Sequence, residues 1–163
     1  MRRILITLAL LLALPTAALG ADLATGDGSL SVTGASGTIV IQGRGLIYGK
    51  FDAGTLMVLS YKPDDGVSVP AVTSDKAQYT KPGAGSFTGT DVRFLLPSGR
   101  YTIELIAVNL NASAIGQGNI VASGLGPGDD GSFAVNGGKP EPISARLPAS
   151  DTFGSPITAK ATS

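Results

Sequence analysis

Carboxylates are the side chains of this sequence best suited to acid–base chemistry, because the chain contains no His and no Cys. Two acids that flank a glycosidic bond can hydrolyse it together. The only glutamates are Glu104 and Glu141, so a small hydrolase that uses this pair is one alternative. For Glu104 we favour a structural interpretation, in which it is an exposed strand residue or pairs with Arg93 or Arg100.

Serine and lysine can also act as a nucleophile and its base without histidine. Ser60 and Lys62 lie two residues apart, as do Ser74 and Lys76, so each pair would share one face of an extended strand. We favour the interpretation that both pairs are solvated loop or edge residues.

Two acidic loops contain the residue types that calcium prefers, since calcium takes oxygen ligands from carboxylates and backbone carbonyls. One loop contains Asp64 and Asp65, and the other contains Asp129 and Asp130. If the loops met in space, their four carboxylates could hold a calcium ion. Each loop ends in Gly, however, and Asp-Gly is common in ordinary turns. No other metal and no organic cofactor is predicted.

Tyrosines are the side chains best suited to stacking against sugar rings on an exposed sheet. A phenol can bury its ring edge while its hydroxyl stays in water. Tyr48, Tyr61 and Tyr79 are therefore candidate ligand-binding residues, and a carbohydrate-binding module is a second alternative function. The simpler interpretation is that these rings pack along strands with only their hydroxyls exposed.

The composition excludes several other classes of site. Without His, Cys or Trp the chain cannot form a His-based triad, a thiol nucleophile or a Cys/His zinc site. Its 12 basic and 12 acidic residues balance, which gives no indication of nucleic acid or an anionic membrane as a partner.

The first 20 residues predict a signal peptide. Arg2 and Arg3 precede an apolar run from Ile4 to Leu14, and the segment ends in small residues at Gly20. The apolar run is too short to span a bilayer, which needs about 20 residues. We therefore expect cleavage after Gly20 and a secreted or periplasmic protein without a membrane anchor. The mature chain would carry 10 basic and 12 acidic residues.

The elements that must position these side chains are strands. The chain contains 23 Gly and 10 Pro, and between them lie short apolar or alternating runs rich in Val, Ile, Leu and Thr. No segment repeats apolar residues at helical spacing. The pattern predicts a single all-β domain, an antiparallel β-sandwich with a β-barrel as the alternative. Glycine-containing turns predict hairpins at residues 34–37, 52–54, 97–99 and 136–138.

A weak internal repeat suggests two similar halves. At an offset of 62 residues Ile41 aligns with Ile103, and at an offset of 64 Leu56 aligns with Ile120. If the repeat is real, the two halves form a pseudo-symmetric sandwich.

The predicted organisation is a signal peptide at 1–20, a short segment at 21–28, the β-sandwich at 29–148 and a flexible tail at 149–163. We expect a secreted, non-catalytic interaction or structural module with a protein or glycan partner. Ser29–Thr33 alternates cleanly and lacks Pro and charge, so it is the expected free edge for self-association.

Overall fold

The computed structural model describes residues 27–66, 70–126 and 130–154. The predicted signal peptide and Asp129 lie outside these ranges. All elements within them are strands, and no helix there is long and apolar enough to cross a membrane. The strands are β1 (Gly28–Pro63), β2 (Ala71–Thr73), β3 (Lys76–Lys81), β4 (Ala84–Gly124), β5 (Ser132–Val135), β6 (Glu141–Pro142) and β7 (Ala149–Phe153).

Two very long antiparallel strands, β1 and β4, form most of the fold. They pair in two registers at once: Ile41 lies opposite Ile103 on one side and opposite Ile120 on the other. Ile47 in the same way lies opposite Leu96 and Ala114. Most of β1 between residues 37 and 58 is therefore flanked by two segments of β4, which requires the long hairpin to fold over itself.

The two registers divide the strands into two rows of hydrogen-bonded segments. The first row contains, in spatial order, β6, β5, 28–35, 110–115, 46–51, 92–96 and β2. The second row contains β7, 117–124, 37–45, 99–107, 53–63, 84–90 and β3.

One hydrophobic core joins the rows. Alternate side chains of both rows are buried in a single cluster, for example Phe51 and Phe94 from the first row and Leu56 and Ile103 from the second. Burying a side chain of this size stabilises the fold by about 1.5–3 kcal/mol. The other face of each row, called its outer face below, carries the intervening residues.

Glycines allow the chain to bend from one row to the next. Gly45 and Gly116 lie opposite each other at one such bend, with φ angles of 129° and 141° that L side chains rarely adopt. A Cβ on Gly45 would overlap the carbonyl oxygen of Ile115, and a Cβ on Gly116 would overlap that of Arg44. Both the backbone conformation and the close approach of the strands therefore require glycine.

A side-chain clamp joins the two ends of the described fold. Asn136 follows β5 with a φ of 52°, and its Oδ1 accepts hydrogen bonds from the backbone N–H of Ser29 at 3.3 Å and of Gly154 at 3.0 Å. Its own N–H donates to the carbonyl of Ser29 at 2.7 Å. The start of β1, the turn after β5 and the end of β7 thus meet at one amide.

The predicted all-β, antiparallel class is confirmed. The strands belong to one 7-stranded sheet that is not closed, so the alternative of a barrel is not realised. The two expected layers are present as two rows of this folded sheet rather than as separate sheets. Of the four predicted hairpin turns, only the one at residues 136–138 lies between two paired strands, β5 and β6. The other predicted turns bend continuous strands, because positive-φ residues and bulges change a strand's direction without reversing it.

The internal repeat agrees with the strand arrangement. Ile41 and Ile103, which the repeat aligns, are register partners of each other in the second row. Leu56 and Ile120 also share that row, and both are fully buried. These placements are compatible with two similar halves, and the repeat stays a prediction.

The predicted free edge and the predicted start of the flexible tail are both wrong. Ser29–Thr33 is not a free edge, because Leu30 lies opposite Ala114 on one side and Val135 on the other. The expected flexible tail begins too early, since Ala149–Phe153 forms β7. Phe153 explains why this segment belongs to the fold, because its side chain is only 1% exposed and packs in the core.

Candidate functional site

A groove of about 740 Å³ crosses the outer face of the second row. Five polar residues lie across it as successive register partners on neighbouring strands. We call this set the polar ladder: Thr152, Asn119, Gln42, Thr102 and Ser60.

Strand alternation places the ladder on the outer face. Ile41, Ile103 and Ile120 are fully buried. Their chain neighbours Gln42, Thr102 and Asn119 therefore point outward, because side chains alternate along a strand. No ladder side chain takes part in a hydrogen bond with another described residue. Their amide and hydroxyl groups therefore remain available to water or a ligand.

A β-bulge at Leu59 aligns the last member of the ladder. Val58 lies opposite Ile103 and Ser60 lies opposite Thr102, so one extra residue of β1 is inserted between two consecutive residues of β4. Leu59 is 46% exposed. Since a bulge shifts the alternation by one residue, Ser60 faces outward beside Thr102 while Val58 faces the core.

Three cations adjoin the polar ladder. Arg44 lies opposite Arg100, which lies opposite Lys62 on its other side, and all three are exposed. We call them the cation cluster. Neighbouring strands are about 4.8 Å apart, and like charges directly opposite each other destabilise a sheet.

One carboxylate partly compensates this repulsion. Arg44 Nη2 donates to Asp64 Oδ1 at 3.2 Å, and Asp64 and Asp65 line a cavity of about 250 Å³ with the three cations. The side chains of this ion pair are 53% and 37% exposed, so it contributes little stability. Arg100 and Lys62 form no ion pair with any described residue.

The described carboxylates of the two acidic loops do not meet. Asp64 contacts Arg44, whereas the backbone carbonyl of Asp130 accepts a hydrogen bond from the N–H of Ser36 at 2.9 Å. Ser36 and Arg44 are separated by eight residues of extended chain, or about 26 Å. The described residues include no group of three or more potential metal ligands. A calcium site shared by the two loops is therefore excluded for Asp64 and Asp130.

Asp130 has a local structural role. Its Oδ2 accepts a hydrogen bond from the backbone N–H of Gly126 at 2.8 Å, and its own N–H donates to the carbonyl of Ile143 at 3.3 Å. These contacts close the loop beyond β4.

The glutamates do not form a catalytic pair. Glu104 is half-buried on the outer face of the second row, beside Val40 and Met57. Glu141 is exposed in β6 of the first row, where it lies opposite Phe133. Stacked layers lie about 10 Å apart, and Glu104 points away from the other layer. The pairing of Glu104 with Arg93 or Arg100 is also absent, since Arg93 bonds Asp91.

Ser60 and Lys62 do share the outer face, as their spacing predicts. No hydrogen bond joins their side chains, although a serine activated by lysine needs one. Here both residues contribute to polar surface beside the groove.

The three candidate tyrosines occupy different environments. Tyr48 is 47% exposed on the outer face of the first row. Tyr79 is 77% exposed in β3, where its ring meets Phe87 edge to face at 5.5 Å. Tyr61 is only 6% exposed, and its hydroxyl donates to the carbonyl of Pro97 at 3.1 Å. The prediction that Tyr61 is a surface residue is wrong because the bulge at Leu59 turns it inward.

Two tyrosines of the second row, Tyr61 and Tyr101, have raised pKa values. Burial raises the pKa of Tyr61, and the nearby charge of Asp64 raises it further. Burial alone raises the pKa of Tyr101, whose hydroxyl has no hydrogen-bond partner among the described residues. Tyr101 lines the groove from the core side, and Tyr61 is its register partner on the neighbouring segment.

A smaller groove of about 480 Å³ crosses the outer face of the first row. It contains Tyr48 with Lys50, Arg93 and Asn111. The amide of Asn111 is already used: its Oδ1 accepts from the N–H of Gly34 at 3.2 Å, and its Nδ2 donates to the carbonyl of Asn109 at 3.2 Å. Ser31, Ser113 and Tyr48 form a shorter row of polar register partners there, which ends at Ala134 on one side and at Leu95 on the other.

Sequence reasoning missed the polar ladder and the cation cluster. Gln42, Thr102 and Asn119 each neighbour a buried isoleucine in an alternating run, so their outward direction is visible in the sequence. Their alignment is not, because it depends on the double register of β1 and β4. Among the candidates named from the sequence, Ser60 belongs to the ladder and Lys62 to the cation cluster, and Asp64 and Asp65 lie beside them.

The comparisons with known proteins find no relative for this chain. No family model matches it, and neither the curated proteins nor the solved structures include a match. The groove must therefore be interpreted from its own chemistry.

Proposed function

We propose that the mature chain is an exported, non-catalytic binding module that holds a glycan on the polar ladder. The observation that supports this proposal most directly is the alignment of Gln42, Asn119 and Thr102 with two further polar residues across five neighbouring segments. Export rests on the predicted leader. N-terminal sequencing of the protein recovered outside the cytoplasm should begin at Ala21.

The chemistry of the ladder matches a ligand rich in hydroxyl groups. An amide side chain offers donors and an acceptor, and a hydroxyl offers both, so each ladder residue can bond a sugar hydroxyl in either direction. The ladder spans four strand spacings, or about 19 Å, and its backbone is held by hydrogen bonds on both sides for most of that length. A rigid row of this kind is pre-organised for an extended chain of sugar residues.

An apolar patch beside the ladder favours a protein partner as the second candidate. Ile106 and Val121 are 45% and 39% exposed on the same outer face, near Val40 and Met57. Protein interfaces combine such apolar centres with a polar rim. Replacing Ile106 with Ser should abolish binding of a protein partner and leave glycan binding unchanged.

A glycan array with the mature chain tests the proposal. Wild type should bind a defined set of glycans, and the double variant Gln42→Ala/Asn119→Ala should lose that binding. Gln78→Ala is the matched control, because Gln78 is an exposed amide in β3 outside the groove. Absence of any glycan signal for wild type, or equal loss in the control, would contradict the proposal.

Calcium is tested on the same array. Asp64 and Asp65 remain weak calcium candidates at the end of the groove, without the second loop. If they hold an ion that orders the groove, glycan binding should fall when a chelator replaces calcium and fall likewise in Asp65→Asn. Unchanged binding in the chelator would show that calcium has no part in the site.

A further inference from the structure

We propose that the cation cluster binds carboxylate or sulfate groups, which makes the ligand of the groove an acidic polysaccharide. This inference rests on the proposed function and names its substrate class. The two surfaces are continuous, because Arg44 and Arg100 line both the groove and the adjoining cavity. Along β1, Arg44 is two residues from Gln42, or about 7 Å.

The arrangement of the charges supports an anionic ligand. Arg44, Arg100 and Lys62 lie on three neighbouring segments, so they repel one another, and Asp64 pairs only with Arg44. Arg100 is the central cation and has a like charge on each side. A bound anion would relieve this repulsion, and the planar fork of a guanidinium can bond both oxygens of a carboxylate.

The surroundings favour a polysaccharide over a nucleic acid. The whole chain has 12 basic and 12 acidic residues, so the cluster is a local feature and not part of a generally basic surface. Proteins that bind single-stranded nucleic acids combine a basic groove with exposed aromatic side chains on which the bases stack. The aromatic rings beside this groove, Tyr101 and Phe153, are 2% and 1% exposed and cannot stack on a base.

Paired polysaccharides that differ only in charge provide the test. The mature chain is titrated with polygalacturonate and with its fully methyl-esterified form, and with dextran sulfate and dextran. We expect the charged member of at least one pair to bind at least about tenfold more tightly, because hydrogen bonds to charged groups are stronger than those between neutral groups. Inorganic sulfate at the same concentration of charge should not displace the polymer.

Arg100→Gln is the decisive variant. It should reduce affinity for the charged polymer about tenfold and affinity for the neutral partner by a clearly smaller factor. Arg100→Lys should recover part of the loss. Arg146→Gln is the matched control, because Arg146 is exposed outside both grooves. A thermal melt should show that Arg100→Gln is at least as stable as wild type, since the change removes repulsion.

The outcomes separate this inference from the proposed function. Equal binding of charged and neutral members would overturn the acidic ligand and leave a glycan-binding module. Binding of no polysaccharide would overturn both. An equal loss in Arg146→Gln, equally tight binding of a DNA oligonucleotide, or complete displacement by inorganic sulfate would also overturn the inference, because each shows attraction that is not specific to an acidic glycan.

Discussion

Removing the side chain of Asn136 should destabilise the fold. Three substitutions at this position separate the effect of the lost hydrogen bonds from that of backbone strain. Asn136 Oδ1 accepts two hydrogen bonds, from Ser29 and Gly154, and its φ is 52°. Each bond is exposed, so we assign it about 0.5–1 kcal/mol of net stability. A left-handed backbone disfavours alanine by about 1 kcal/mol or more, whereas asparagine and glycine tolerate it.

These contributions predict an order. Asn136→Ala loses both bonds and acquires backbone strain, so its free energy of unfolding should fall by about 2–3 kcal/mol. Asn136→Gly loses only the bonds and should fall by about 1–2 kcal/mol. Asn136→Asp keeps an acceptor oxygen for both N–H groups and should fall by less than about 1 kcal/mol at neutral pH.

Urea denaturation followed by far-ultraviolet circular dichroism measures the three values, and hydrogen exchange locates them. Protection of the Ser29 and Gly154 amides should fall in the Ala and Gly variants and persist in the Asp variant. Equal losses for Ala and Gly would show that the left-handed backbone contributes nothing. A loss in the Asp variant as large as in the Ala variant would refute the acceptor role of Oδ1.

Three further changes test the core, a bend and the bulge. Tyr101→Phe should raise stability by about 1–2 kcal/mol because it removes an unpartnered buried hydroxyl. Burial raises the pKa of Tyr101 above its value of 10.0 in the unfolded chain. Its ionisation should therefore leave the free energy of unfolding unchanged below pH 10.0 and lower it at higher pH, because only the unfolded chain then ionises. Melting temperatures between pH 8 and 11 should fall less steeply in the Phe variant. Gly45→Ala should lower stability by more than about 2 kcal/mol in urea denaturation, whereas Gly137→Ala, with nothing within 4 Å, should lose only about 1 kcal/mol. Deletion of Leu59 should leave a folded protein with a native circular dichroism spectrum, because it removes the bulge residue and keeps the alternation on both sides; loss of that spectrum would contradict the assigned bulge.

The sequence predicts strands well here and predicts their neighbours poorly. Alternation identified the runs around Ile41 and Ile103 correctly, since side-chain direction in a strand is a local property. Which segments pair is a long-range property. Ser29–Thr33 was therefore expected at an edge from its position in the chain, although it lies inside the first row.

The candidate site shows the same limit at the level of single residues. Tyr61 was expected on the surface, and one extra residue at Leu59 reverses its direction. A bulge forms in response to the partner strand, so its position cannot be found in the bulged strand alone. The glycine at position 45 was visible in the sequence, but its role as a bend between rows depends on the opposing Gly116.

The double register of β1 and β4 also has a consequence for folding kinetics. Register partners range from Val58 and Gly85, 27 residues apart, to Gly28 and Gly116, 88 residues apart. Closing the longer loop first would cost about 1 kcal/mol more in chain entropy, so pairing should begin near Val58 and proceed outward. Such a high contact order is typical of folding in milliseconds to seconds. A chain that folds this slowly stays unfolded longer after synthesis, so its unpaired strand edges are exposed for longer to aggregation and to chaperones.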